Sequence, residues 1–77
     1  MSHTFTDENL VTWEAFASSG RFGFPERPAI VFNCLSDPTV RPRYVVRPGD
    51  EADAERQVHE YDEHQLRAML GQSKPLD

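Results

Sequence analysis

The sequence changes character at Pro48-Gly49, and this change constrains the fold more than any other feature. Before it, short apolar runs alternate with polar residues and are interrupted by Pro and Gly, which is typical of strands joined by turns. After it, residues 50–74 contain no proline and include residue types that typically begin and end helices. The charge divides at the same place. Residues 1–48 hold five acids and five arginines, whereas residues 49–77 hold eight acids and three cations, so the whole net charge of −5 lies in the second part.

Length and cysteine content narrow the class of protein further. The 77 residues suit one domain, which we place at residues 10–77, after a flexible N-terminus over residues 1–9 that is polar and has no period. A chain of this size buries only about 60% of its unfolded surface, so a partner would add useful stability. Cys34 is the only cysteine, which excludes an intramolecular disulfide, and no leader or membrane segment is evident. These features predict a cytoplasmic protein without membrane attachment.

Three runs in the first part predict strands, at residues 10–18, 29–36 and 41–47. In the first run the side chains expected on one face are Val11, Trp13, Ala15 and Ala17. The same run also places Leu10, Trp13 and Ala17 at helical spacing, so a helix remains the alternative there. The second run is the most apolar and is expected to form the central strand, with Cys34 pointing inward.

The second and third runs are separated by Ser36-Asp37-Pro38-Thr39, whose composition is typical of a type I turn. This predicts an antiparallel hairpin. We therefore expect an α+β fold: a small three-stranded antiparallel sheet, with an SH3-like half barrel as one form of it, followed by one or two short C-terminal helices.

Two aspartates mark the expected helix starts. Asp50 resembles an N-cap followed by acids in the first turn. Asp62 is a second N-cap candidate, and Gln65 stands three residues later as its capping-box partner. The second helix would pack an apolar stripe onto the sheet and stop near Gly71 and Pro75; the stripe consists of Leu66, Met69 and Leu70.

The residues that could bind a metal or act in catalysis do not have the spacing or setting that such sites require. His59 and His64 are five residues apart, whereas a helical zinc pair needs four, so we expect soluble side chains near a helix junction and keep a metal-dependent site there only as an alternative. Cys34 lies in an apolar strand, where a thiol behaves as a small hydrophobe. No phosphate-binding loop or nucleophile motif is present. The sequence predicts neither an enzyme nor a bound cofactor or metal.

Arginines and aromatics in the first part are the remaining candidates for function, because this composition is enriched where proteins bind one another. The residues expected to form a protein-binding surface are Phe22, Phe24, Arg41, Arg43 and Arg47. We therefore expect a non-catalytic protein-binding module or a small accessory subunit of a larger assembly. A nucleic-acid-binding arginine and aromatic sheet face is the alternative, disfavoured by the pI near 5.0. The expected partner is another protein, and a homo-oligomer formed through a sheet edge stays open.

Overall fold

The computed structural model describes residues 2–18 and 28–76. Their elements, in chain order, are β1 (Ser2–Thr6), β2 (Thr12–Ser18), β3 (Ala29–Cys34), β4 (Arg43–Val46), α1 (Glu51–Glu60), α2 (Glu63–Gly71) and β5 (Lys74–Pro75). The strands form one antiparallel sheet in the order β1-β2-β3-β4-β5. Both helices lie in the connection from β4 to β5.

The α+β class with an antiparallel sheet and two helices is confirmed, but the sheet differs from the expectation in detail. It has five strands where the sequence predicts three, so neither the three-stranded count nor the SH3-like half barrel describes it. Residues 2–6 form β1, whereas the sequence predicts a flexible N-terminus over residues 1–9. Only Phe5 of this strand is buried, so the sequence has no apolar alternation from which the strand could be predicted. The two residues of β5 are too few to show any period.

Residues 12–18 form a strand, which decides between the strand and helix interpretations of this run. Trp13 and Ala15 are buried, and Val11 and Ala17 pack against the same core, as the alternation predicts. The register sets Trp13 opposite Phe5 on one side and opposite Cys34 on the other. Stiff and bulky side chains favour this pleated surface over a helix.

The core lies between one face of the sheet and the two helices. Its buried members are Phe5, Trp13, Ala15, Ile30, Phe32, Cys34, Ala54, Val58, Leu66 and Met69. The rings of Phe5 and Phe32 meet edge to face, with centroids 6.0 Å apart and planes at 84°, an arrangement that adds about 0.5–1.5 kcal/mol to their burial. Phe32 is fully buried at the centre of the sheet, so Phe32→Ala would cost about 3–5 kcal/mol.

Both predicted N-caps are confirmed, and each forms a complete capping box. The Asp50 carboxylate accepts from the Asp53 backbone N–H, and the Asp53 carboxylate accepts from the Asp50 N–H. Asp62 and Gln65 repeat the arrangement at α2. Gly49 precedes the first box at φ 90°, and a Cβ there would collide with the Asp53 carboxylate, so the entry to α1 requires glycine. Among the described residues, neither helix has the length and apolar character needed to cross a bilayer.

Candidate functional site

Three of the five predicted binding residues, Arg41, Arg43 and Arg47, lie in the described part of the chain, and they differ in exposure. Phe22 and Phe24 fall in residues 19–27 and lie outside the described residues. Arg41 is exposed just before β4. Arg43 in β4 and Arg47 just after β4 are partly buried on the side of the sheet that faces the helices.

Arg43 and Arg47 make hydrogen bonds within the molecule. Arg43 donates from Nε to the Ser73 hydroxyl and from Nη2 to the Ser73 carbonyl, both at 2.7 Å. Arg47 donates from Nε to Gln57 Oε1 at 2.7 Å and from Nη2 to the Tyr61 hydroxyl at 3.4 Å. Because two hydrogen bonds hold each planar guanidinium in a fixed position, these two residues fasten the β4 region to α1 and to the chain after α2.

The sheet face away from the helices carries an apolar and aromatic row. Phe16, Val31, Tyr44 and Lys74 are cross-strand neighbours in successive strands. Val31 is only 1% exposed, whereas Phe16 and Tyr44 are partly exposed. Tyr44 thus lies on the opposite face from its neighbour Arg43, since side chains alternate along a strand.

The histidines and the cysteine considered as reactive groups lie on different elements. His59 and His64 are exposed, one on each helix. Within residues 2–18 and 28–76, no group of three or more His, Cys, Asp or Glu side chains could hold a metal ion. Cys34 is 5% exposed and belongs to the core cluster, where it packs as a small apolar residue.

The β1–β2 turn is organised by Asp7. Its Oδ1 accepts from the backbone N–H of Asn9 at 2.8 Å and of Val11 at 3.0 Å. Its Oδ2 accepts from the indole Nε1 of buried Trp13 at 2.9 Å. The backbone closes the turn from Asp7 N–H to the Val11 carbonyl and from Leu10 N–H to the Asp7 carbonyl, at 2.8 and 3.1 Å. One carboxylate therefore ties the turn to the core.

The pKa of Asp7 reflects this set of contacts. Burial raises the pKa, but the hydrogen bond from Trp13, those from the Val11 and Asn9 N–H groups and the charge of Arg67 together outweigh burial. The pKa therefore lies below its ordinary value of 3.8, because each of these donors favours the ionised form. At neutral pH the carboxylate is charged and can accept from all three donors.

Leu10 occupies an unusual position in this turn. Its φ is 63°, and among the described residues no other non-glycine residue has a positive φ. The three-residue loop between Asp7 and Val11 normally ends in a left-handed residue, usually glycine. Leucine there costs about 1–2 kcal/mol of steric strain. Its side chain is 84% exposed, so no burial within the chain offsets that strain.

Two further apolar side chains lie at the same end of the sheet. The β3–β4 connection, residues 35–42, meets the start of β2 where Leu35 N–H donates to the Thr12 carbonyl at 2.8 Å. Four large hydrophobic side chains are exposed in the described part of the chain. Three of them belong to this end, namely Leu10 at 84%, Leu35 at 49% and Val40 at 39%.

A shallow groove of about 160 Å³ separates the β1–β2 turn from α2. Its lining residues are Asp7, Glu8, Asn9, Arg67, Leu70 and Gly71. Arg67 is held at its rim by donating from Nε to the Thr6 carbonyl at 2.8 Å and from Nη2 to the Glu63 carboxylate at 3.2 Å. We call Leu10, Leu35, Val40 and this groove the turn-end site.

Sequence reasoning missed Asp7 and Leu10. A signal was present, since Asp followed two residues later by Asn is common in turns. It was obscured because leucine stands at the left-handed position where glycine would mark the turn.

Comparison with known proteins gives no matching family model, no matching curated protein and no matching solved structure. The geometry of the chain itself is therefore the basis for a functional proposal.

Proposed function

We propose that this protein is a non-catalytic protein-binding module, or a small accessory subunit of a larger assembly, that binds through the turn-end site. The observation that carries the proposal is Leu10, a strained residue whose apolar side chain is 84% exposed. Strained backbone persists where surrounding contacts enforce it, and such positions cluster at functional sites. Asparagine or glycine would fit the same turn with less strain.

The surroundings of Leu10 suit the binding of an apolar pocket on a partner. Asp7 fixes the turn through three side-chain hydrogen bonds, so Leu10 loses little conformational freedom when it binds. Leu35 and Val40 add apolar surface at the same end, and the adjacent groove supplies polar groups at the rim. Burial of one leucine side chain contributes about 1.5–3 kcal/mol, or roughly tenfold or more in affinity.

We propose a non-catalytic role, and the positions of the candidate reactive residues within residues 2–18 and 28–76 support it. Cys34 lies in the core, and the two helix histidines lie on different helices. We propose no cofactor. A cytoplasmic location is the companion proposal, because a single cysteine kept as a buried thiol suits a reducing compartment.

The proposal is tested by site-specific photocrosslinking in native lysate, with the photoreactive amino acid at position 10 and, as a matched control, at position 46. Val46 is an exposed apolar residue at the opposite end of the sheet. The partner captured from position 10 is then purified and its affinity measured by calorimetry. We expect Leu10→Asn to weaken binding at least about tenfold, and Val46→Asn to leave it unchanged.

Loss of binding in Leu10→Asn cannot arise from unfolding if, as expected, this variant is at least as stable as the wild-type protein. A partner that binds wild type and Leu10→Asn equally would refute the turn-end site. Identical crosslinking from positions 10 and 46 would do the same.

Nucleic-acid binding remains the second candidate, because the partly exposed Phe16 and Tyr44 lie in one row with Lys74, and aromatic side chains stack on unpaired bases. Its weakness is charge: Arg43 and Arg47 are engaged within the molecule, and the chain carries −5. Fluorescence anisotropy with a single-stranded oligonucleotide at low salt tests it. A signal that falls steeply with added salt and is lost in Tyr44→Ala would favour this candidate over protein binding.

A further inference from the structure

The two edges of the sheet are protected to different degrees. The β5 edge is only two residues long and consists of Lys74 and Pro75, and a short strand, a lysine and a proline are three devices that prevent a further strand from pairing. The β1 edge has five residues, Ser-His-Thr-Phe-Thr, with no proline, lysine or acidic residue. The chain thus protects one edge and leaves the other suited to pairing.

The hydrogen-bond phase shows which groups of β1 point outward. Asp7 N–H donates to the Val11 carbonyl. Because every second residue of an antiparallel strand bonds to the same neighbour, Phe5 and His3 are the residues of β1 that bond to β2. The N–H and C=O groups of Ser2, Thr4 and Thr6 therefore face away from the sheet. Arg67 already donates to the Thr6 carbonyl. Within the described residues, no backbone partner meets the outward groups of Ser2 and Thr4.

We propose that β1 is a self-association edge, at which two copies of the chain pair their β1 strands antiparallel about a two-fold axis at His3. In this register Ser2 of one copy lies opposite Thr4 of the other. The outward N–H and C=O groups of both residues are then paired on both copies, in about four backbone hydrogen bonds. The two sheets join into one continuous sheet.

A second copy fits this edge for two reasons. An isologous contact requires a surface that complements itself, and β1 paired with a second β1 about His3 does so by symmetry. In addition, β1 has no carboxylate, lysine or arginine, so the contact places no like charges opposite each other although each chain carries −5. The contact is small, so the dimer is a weak one that forms at high micromolar concentration and above.

The first test is sedimentation equilibrium of the full chain from about 1 μM to 1 mM. We expect a reversible monomer–dimer equilibrium. Thr4→Pro removes an outward N–H but none that β2 uses, so it should raise the dissociation constant at least about tenfold. Thr4→Val keeps the N–H and serves as the matched control, with a dissociation constant within about twofold of wild type. Wild-type protein that stays monomeric at 1 mM would overturn the proposal, as would equal dimerisation of Thr4→Pro.

A second measurement is independent of how well Thr4→Pro folds. His3 of each copy meets its counterpart in a non-hydrogen-bonded pair, where Cβ atoms approach closely enough for a disulfide. His3→Cys should crosslink to a covalent dimer under mild oxidation, whereas Thr6→Cys should not. Buried Cys34 does not compete. Equal crosslinking of both variants, or of neither, would refute this register.

Discussion

The two turns at one end of the sheet share two hydrogen bonds and differ in the remaining contacts of the aspartate carboxylate. In each, an aspartate Oδ1 accepts from the backbone N–H two residues later, Asn9 for Asp7 and Thr39 for Asp37, at 2.8 and 2.9 Å. In each, the aspartate carbonyl accepts from the N–H three residues later, Leu10 or Val40, at 3.1 and 3.2 Å. The remaining carboxylate contacts differ: Asp7 accepts from the Val11 N–H and from the buried Trp13 indole, whereas Asp37 accepts from the exposed Thr39 hydroxyl.

The Asp37 turn is therefore local, whereas the Asp7 turn is coupled to the core. The hydrogen bonds of the Asp37 turn lie within its own four residues, 37–40, and Pro38 fixes φ at the second position. The Asp7 turn holds a strained Leu10 and depends on a bond to the core. An aspartate at the start of a turn can therefore close a hairpin locally or connect it to the interior, and in this chain the turn connected to the interior is the one that holds the strained residue.

The largest expected difference is in stability. Asp7→Ala removes the acceptor of the Trp13 indole N–H together with two turn bonds, and should lower the free energy of unfolding by about 2 kcal/mol. Asp37→Ala removes bonds in an exposed turn and should cost clearly less. Urea denaturation followed by circular dichroism measures both. Equal losses would mean that the Trp13 connection adds nothing to the Asp7 turn.

The pH dependence of this difference is the second test. The pKa of Asp7 is lowered because its hydrogen bonds and Arg67 outweigh burial, and that of Asp37 because Thr39 donates from its hydroxyl and N–H. A carboxyl with a folded pKa below its ordinary value of 3.8 adds stability above about pH 4, and this is lost as pH falls through the folded pKa. The difference in free energy of unfolding between wild type and Asp7→Ala should therefore be constant from pH 7 to 5 and shrink towards pH 3. Urea midpoints at these pH values measure it, and a gap that widened on acidification would contradict the assignment.

The smallest expected effect has the opposite sign. Leu10→Asn relieves strain at a left-handed position that asparagine tolerates, and should raise the free energy of unfolding by about 0.5–1 kcal/mol. Val40→Asn at the equivalent position of the other turn has no such strain to relieve and should give no gain. A stabilised Val40→Asn, or a destabilised Leu10→Asn, would show that backbone strain does not distinguish the turns.

The part of the fold that follows from pattern was predictable. Alternation in residues 10–18 and 29–36 predicted two strands and their inward faces, and the structure has these strands at Thr12–Ser18 and Ala29–Cys34. Asp50 and Asp62 predicted both helix starts, because caps are local signals. The strand β1 was not predictable, because its single buried residue, Phe5, has meaning only once β2 and the helices are in place. Lys74 and Pro75 likewise become a strand only through their pairing with β4.

The candidate site was less predictable than the fold. Sequence alone could place Arg43 and Arg47 on one face of a strand, but not decide whether that face meets solvent or the helices. Their engagement with Ser73 and Gln57 depends on contacts between residues distant in sequence. Leu10 resembles any apolar residue before a strand until its φ is known. The arginine contacts and the φ of Leu10 both depend on tertiary structure, which composition and residue spacing do not reveal.

The bond between Asp7 and Trp13 also makes the protein an optical reporter of its own candidate site. Trp13 is the only tryptophan in the chain, so all indole emission comes from one ring. Its Nε1 lies 2.9 Å from a carboxylate in the turn that presents Leu10. A ligand that shifts this turn would change the polarity around that one fluorophore, so intrinsic fluorescence of unlabelled protein distinguishes binding that moves the turn from binding that leaves it in place.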